Sequence, residues 1–212
     1  MKKRGMFIVF EGLDGSGKTT QLSKLADMLK QRKVKCITTQ EPTDFPTGVL
    51  IREALRKNVE FLPETLALLF AADRFEHVNK AILPELNKGV SVLCHRFVFS
   101  NLAFQGLAMP MDKVLAYNRS ALDLLMPDLT VFVDTPPDLC IRRIHREREN
   151  IELFEREDIL RAVRENYLRA FEMLPDTEVW RIDGDRPEEE VFADIWEKQT
   201  GGGLSRLLTR YI

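Results

Sequence analysis

Short apolar runs alternate along the chain with longer stretches in which apolar residues recur every three or four positions. Met6-Phe7-Ile8-Val9-Phe10 is an unbroken apolar run, the pattern of a strand buried on both faces. From Lys18 onward, Leu22, Leu25, Met28 and Leu29 share one face of a helix. Further strands are read at 34–39, 90–94, 129–134 and 179–182. Helical periodicity fills the intervals: 47–55; a longer helix from Pro63 through Leu66, Leu69, Phe70, Phe75 and Val78; 98–125; and 157–174. Pro187 opens a last helix through Val191, Phe192, Ile195 and Trp196.

Breakers sharpen the boundaries. Pro42 and Pro46 make 41–46 a loop. Pro84 is expected to kink or interrupt the helix that begins at Pro63, and Gly89 to stop it. Gly106 and Pro110 interrupt 98–125, and Pro136-Pro137 opens another helix. Five strands alternating with helices predict an α/β fold, a five-stranded parallel sheet with helices on both faces. Ligands then gather at the carboxyl ends of the strands.

Composition narrows the class. The 212 residues allow one α/β domain with a sizeable core, and no repeat or low-complexity segment divides them. A net charge of −2 and a pI near 6.0 argue against a nucleic-acid surface. No apolar run reaches membrane-span length, and the basic start lacks the apolar core of a signal peptide. Cys36, Cys94 and Cys140 are odd in number and widely spaced. They read as buried thiols in a reducing cytosol, so a cytoplasmic protein is expected.

The chemistry starts at Gly12-Leu13-Asp14-Gly15-Ser16-Gly17-Lys18-Thr19, a G-x-x-x-x-G-K-T phosphate loop between predicted strand and predicted helix. Glycines let backbone amides wrap an anion, and a helix start presents unpaired N–H groups to it. Lys18 is placed for the β- and γ-phosphates of a nucleoside triphosphate, and the Thr19 hydroxyl for Mg²⁺. Three further groups bear on the reaction. On the helix from Pro63, Phe70, Arg74 and His77 share a face; ring and guanidinium can stack and bond a base, or Phe70 is core, Arg74 pairs with Asp73 or Glu76 in solvent, and His77 packs. Arg96 ends the third strand, where a guanidinium clamps a phosphate or caps the strand. Arg142, Arg143, Arg146, Arg148 and Arg156 are interspersed with glutamates. Most fit a solvated helix with ion pairs, while one or two can reach a transferring phosphoryl group.

Beside these motifs stand Glu41-Pro42, Leu69-Phe70-Ala71-Ala72-Asp73-Arg74, Ser100-Asn101, Ala103-Phe104-Gln105, and Pro127-Asp128-Leu129-Thr130 with Asp134. In this order, from about Gly5 to Trp196, the chain resembles the thymidylate kinases, P-loop nucleoside monophosphate kinases. The resemblance implies a three-layer P-loop kinase fold over residues 1–200, a lid at about 142–156, and transfer of the ATP γ-phosphate to dTMP. It implies Phe70 stacked on thymine, Arg74 at the base edge, Asn101 bonded to the pyrimidine, and Phe104 crowding the sugar's 2′ position. Asp14 would approach the 3′-hydroxyl and Arg96 bind the 5′-phosphate. Glu41 and Gln105 complete the substrate set, and Arg146 and Arg148 are the lid cations expected to act with Lys18 and Arg96. A homodimer packed through helices of the first half is implied, with no nucleic-acid or membrane partner.

The sequence departs from that family's pattern at three places. His95-Arg96-Phe97 stands where Asp-Arg-Tyr is usual, Gln40 where an arginine precedes Glu-Pro, and Phe104 where a tyrosine is usual. These leave open another acceptor, such as dUMP, or a nucleotide-binding paralogue without turnover. Beyond the flexible joint Gly201-Gly202-Gly203, Leu204, Leu207, Leu208 and Tyr211 recur at helical spacing. That tail is read either as a helix docked on its own domain or dimer mate, or as a partner or membrane-surface anchor.

Overall fold

The computed structural model describes residues 4–147, 153–154 and 156–198. Arg148 and the tail at 201–212 lie outside the described residues. The strands are β1 (Phe7–Gly12), β2 (Cys36–Gln40), β3 (Ser91–His95), β4 (Leu129–Asp134) and β5 (Val179–Asp183). They pair in parallel in the order β2-β3-β1-β4-β5. The central strand β1 is buried along its whole length, which accounts for its unbroken apolar run.

Alternation within β1 assigns its side chains to two cores. Phe7 and Val9 face one side with Val92, Phe132 and the helices α5 (Val98–Gln105), α6 (Met111–Leu122) and α8 (Glu157–Met173). Ile8 and Phe10 face the other with Leu22, Leu25 and Leu29 of α1 (Lys18–Gln31) and Val191 of α9 (Glu188–Ala193). This is the expected three-layer α/β arrangement, and it puts the strands' carboxyl ends, with the phosphate loop, along one edge.

Between β2 and β3 the chain forms α2 (Pro46–Leu55), α3 (Pro63–His77) and α4 (Leu83–Asn87). Pro46 belongs to the first turn of α2 and not to the preceding loop; it takes an N-terminal position where no N–H is needed. Pro84 is absorbed in a different way from the expected break. A π turn over Val78–Ile82 carries the helical path into α4, where Pro84 sits in the first turn. Phe75, expected on the apolar face, is 43% exposed. Cys94 and Cys140 are buried, whereas Cys36 near the sheet edge is only half-buried. Between β4 and β5 lie α7 (Pro137–Glu147) and α8. No helix among the described residues is long and apolar enough to cross a membrane.

Candidate active site

The phosphate loop fills the turn from β1 to α1. Gly17 has φ 92° and precedes Lys18, the first residue of α1. A Cβ there would meet only Arg143 Nη1, at 3.9 Å, so the loop's outer face is open to an anion. Ser16 Oγ is buried without a hydrogen-bond partner among the described residues, and the Thr19 hydroxyl is on an exposed residue. A donor lacking an acceptor, free amides and an open hydroxyl together fit a triphosphate with a divalent ion. No cluster of three or more His, Cys, Asp or Glu is found among the described residues. Lys18 Nζ donates to Leu13 O at 2.8 Å and lies 3.6 Å from Asp14. Burial and the Arg96 charge lower its pKa to about 8 against the opposing pull of Asp14.

The loop faces a cleft of about 850 Å³ lined also by His95, Arg143, Ile144, Arg146, Gly184, Arg186 and Glu188. Arg146 is exposed on α7. Arg143 comes closer: its guanidinium lies 3.4 Å from the carbonyl oxygens of Gly15, Ser16 and Gly184. Arg142 instead pairs with Asp138 one turn away, on the surface, as most of the arginine-rich stretch was expected to do.

On the other side of Asp14 lies a second cavity, of about 230 Å³. Asp14, Glu41, Phe70, Arg96, Phe104 and Gln105 line it, six of the residues expected to hold the acceptor. Arg96 is its centre. The residue follows β3 with φ 69°, a left-handed conformation uncommon for a side chain of this size. Nη2 donates to Asp14 Oδ1 at 2.7 Å, Nη1 donates to Ser100 Oγ at 3.0 Å and to Tyr167 Oη at 3.3 Å, and the guanidinium lies 4.9 Å from the Phe104 ring centroid. Burial opposes its charge, but Asp14 more than compensates and raises its pKa. Asp14 is correspondingly held ionised: burial pushes its pKa up, and Arg96 and Lys18 together pull it below the ordinary value.

Behind Arg96, the buried Glu11 accepts from the Phe97 and Ser100 amides, the Ser100 hydroxyl and the Tyr167 hydroxyl. Burial raises its pKa despite these donors and the nearby Arg96. Glu11 and Tyr167 thus brace the strand end that carries Arg96.

Arg74 and Asn101 are not among the residues that line this cavity. Both are 1% exposed and lie behind the cavity wall. Arg74 Nη2 donates to Glu41 Oε2 at 2.5 Å and to Phe97 O at 2.9 Å, and Nη1 donates to Asn101 Oδ1 at 3.2 Å and to Asn118. A solvated Arg74 paired with Asp73 or Glu76 does not occur: α3 turns this side chain into the protein. Asp73 instead accepts from the Thr43 amide and from the hydroxyls of Thr43 and Thr47. His77 is buried, its ring 2.7 Å from Thr39 Oγ1 and 3.1 Å from Glu41 Oε1.

Sequence reasoning passed over Arg52, Arg56 and Phe154, which also line the second cavity. Arg52 donates to Pro42 O and Thr43 O and pairs with Asp44. Phe154 meets Phe104 edge-on, centroids 5.2 Å apart, and the neighbouring Leu153 amide donates to Leu55 O. A single phenylalanine in a charge-dense segment was the available signal.

Comparison with known proteins places the chain in one family. The family model described as thymidylate kinase matches residues 10–195. A probable thymidylate kinase of Pyrococcus abyssi (strain GE5 / Orsay) is 40% identical over 199 residues, covering 91% of this chain and 94% of its own. Thymidylate kinases of Clostridium novyi (strain NT) and Bacillus cereus (strain Q1) are 35% and 37% identical over 91% of this chain, and 97% and 95% of theirs. With the family model matching residues 10–195 and relatives 35–40% identical over 91% of its length, the chain belongs to the thymidylate kinase family.

Proposed function

We propose that this chain transfers the γ-phosphate of ATP to dTMP, giving dTDP. The observation that carries the reading is the meeting of two nucleotide-sized spaces at one point: Asp14 and His95 line both, with the phosphate loop on one side and Arg96 on the other. An acceptor phosphate on Arg96 is already anionic, so one of its oxygens can attack the γ-phosphorus without a strong general base. The new O–P bond forms as the bond to the ADP oxygen breaks. Lys18 and Arg96 supply fixed positive charge where negative charge spreads. Arg143 and Arg146 lie on the donor side and are the described lid cations closest to this role; Arg148 remains part of the proposal from sequence. Thr19 would hold Mg²⁺ together with the substrate's phosphates, and the ion would supply neutralising charge there.

Phe70 and Phe104 give the acceptor cavity its apolar walls, suited to a pyrimidine and a deoxyribose. Arg74 and Asn101 support the wall through Glu41 and Gln105, and a direct base contact by either rests on the family resemblance. We read residues 1–200 as one kinase domain, acting as a homodimer in the cytoplasm, with no nucleic-acid or membrane partner. Val49 and Leu50 on α2 and Leu68 and Phe75 on α3 are 43–45% exposed and provide an apolar face for a second copy.

The test is a coupled ADP-release assay with Mg·ATP across nucleoside monophosphates. dTMP is expected to be the best acceptor, and Lys18→Ala to abolish turnover. A better acceptor such as dUMP would reassign the substrate, and nucleotide binding without turnover on any monophosphate would defeat the enzymatic reading.

A further inference from the structure

Glu11 is a fully buried carboxylate that lines neither nucleotide space. Phe10 is the register partner of His95, so Glu11 stands level with Arg96 at the end of the next strand. Its hydrogen bonds come from four uncharged donors. Oε1 accepts from the Phe97 amide at 2.9 Å and the Ser100 amide at 3.1 Å, both at the start of α5. Oε2 accepts from Ser100 Oγ at 2.5 Å and Tyr167 Oη at 3.0 Å. Holding a buried carboxylate on neutral donors alone is costly, so its place calls for a reason beyond packing.

The same two hydroxyls accept from Arg96 Nη1, at 3.0 Å and 3.3 Å. They lie 2.8 Å from each other, and Tyr167 Oη lies 3.4 Å from Gly12 O. Each hydroxyl has one proton to place. Whether it goes to Glu11, to the other hydroxyl or to Gly12 O, it points away from Arg96, and each oxygen keeps a lone pair for Nη1. Asp14 holds Nη2 from the other side. Among the described residues no acceptor takes Nε, and Arg96 lines the acceptor cavity.

We propose that Glu11 is a positioning residue for the acceptor phosphate: it turns the Ser100 and Tyr167 hydroxyls so that both accept from Arg96, and so fixes the guanidinium that grips the phosphate. The proposal rests on the kinase reading above. Glu11→Gln tests it with little change of shape. The amide oxygen can keep the two backbone N–H groups, but an NH₂ then stands where both hydroxyls now find an acceptor.

The readout is binding of dTMP and of thymidine, which lacks the phosphate, by titration calorimetry. Glu11→Gln is expected to weaken dTMP about tenfold, the scale of a hydrogen bond to a charged group, and thymidine by less than about twofold. KM for dTMP should rise with it, and KM for ATP should not. Equal weakening of both ligands is what a merely structural role gives, and it would overturn the proposal. In a Ser100→Ala, Tyr167→Phe background, Glu11→Gln is expected to add no more than about twofold; the full factor there would mean that Glu11 acts by another route. Should Glu11→Gln fail to fold, Ser100→Ala and Tyr167→Phe are read in the same way: selective loss of dTMP supports the relay, and unchanged preference for dTMP over thymidine refutes it. A wild type that binds thymidine as tightly as dTMP defeats the kinase reading itself. A wild type that prefers dTMP, with a Glu11→Gln variant that keeps the preference, overturns this proposal alone.

Discussion

Arg74 carries a guanidinium held in a buried polar network. Its guanidinium is buried among Glu41, Asn101, Asn118 and the Phe97 carbonyl, and Glu41 takes a second contact from His77. Removing one partner of a buried ion pair leaves the other charge uncompensated, at a cost of about 3–5 kcal/mol. Arg74→Leu is therefore expected to lose stability on that scale in urea or guanidinium unfolding. A variant as stable as wild type but with weakened dTMP binding would return Arg74 to the base edge. At the same scale, Tyr167 donates to Glu11 at 3.0 Å and accepts from Arg96 at 3.3 Å. Tyr167→Phe is expected to cost about 1–2 kcal/mol of stability, since Glu11 loses a donor it is buried with. It should also lower kcat/KM for dTMP by loosening Arg96, as steady-state kinetics would show.

At the scale of elements, the acceptor cavity is shaped by how α2 docks on the loop that precedes it. A Cβ on Gly48 would stand 2.0 Å from Thr43 O, and Thr43 is held from the other side by Asp73 of α3. Gly48→Ala must push α2 away from that loop. A destabilisation of about 1–3 kcal/mol is expected, as for other overpacked contacts, measured by chemical denaturation. Because Arg52 and Arg56 of α2 and Glu41 and Pro42 of the loop line the cavity, KM for dTMP should rise with it. The π turn at Val78–Ile82 belongs to this scale as well: it lets a proline fall in the first turn of α4 without breaking the helical path.

At the scale of the whole molecule, the exposed apolar side chains of α2 and α3 bear on assembly. If the proposed homodimer forms through this face, light scattering is expected to find a dimeric wild type and a folded monomer for Leu50→Glu combined with Phe75→Glu. A wild type that is already monomeric would remove the homodimer. The strand and helix order was legible in sequence because periodicity reports local geometry: β1 is apolar from Phe7 to Phe10 since both faces are covered, and α1 repeats leucines since one face is. The phosphate loop was legible for a similar reason, its residues being contiguous and its chemistry set by its own backbone. Glu41 from the second strand's end, Arg96 from the third and Phe154 from beyond α7 meet only because the chain crosses over between parallel strands. Which side of the cavity wall Arg74 occupies, and that Tyr167 reaches Glu11, depend on packing and register between segments distant in sequence, and no local pattern encodes those.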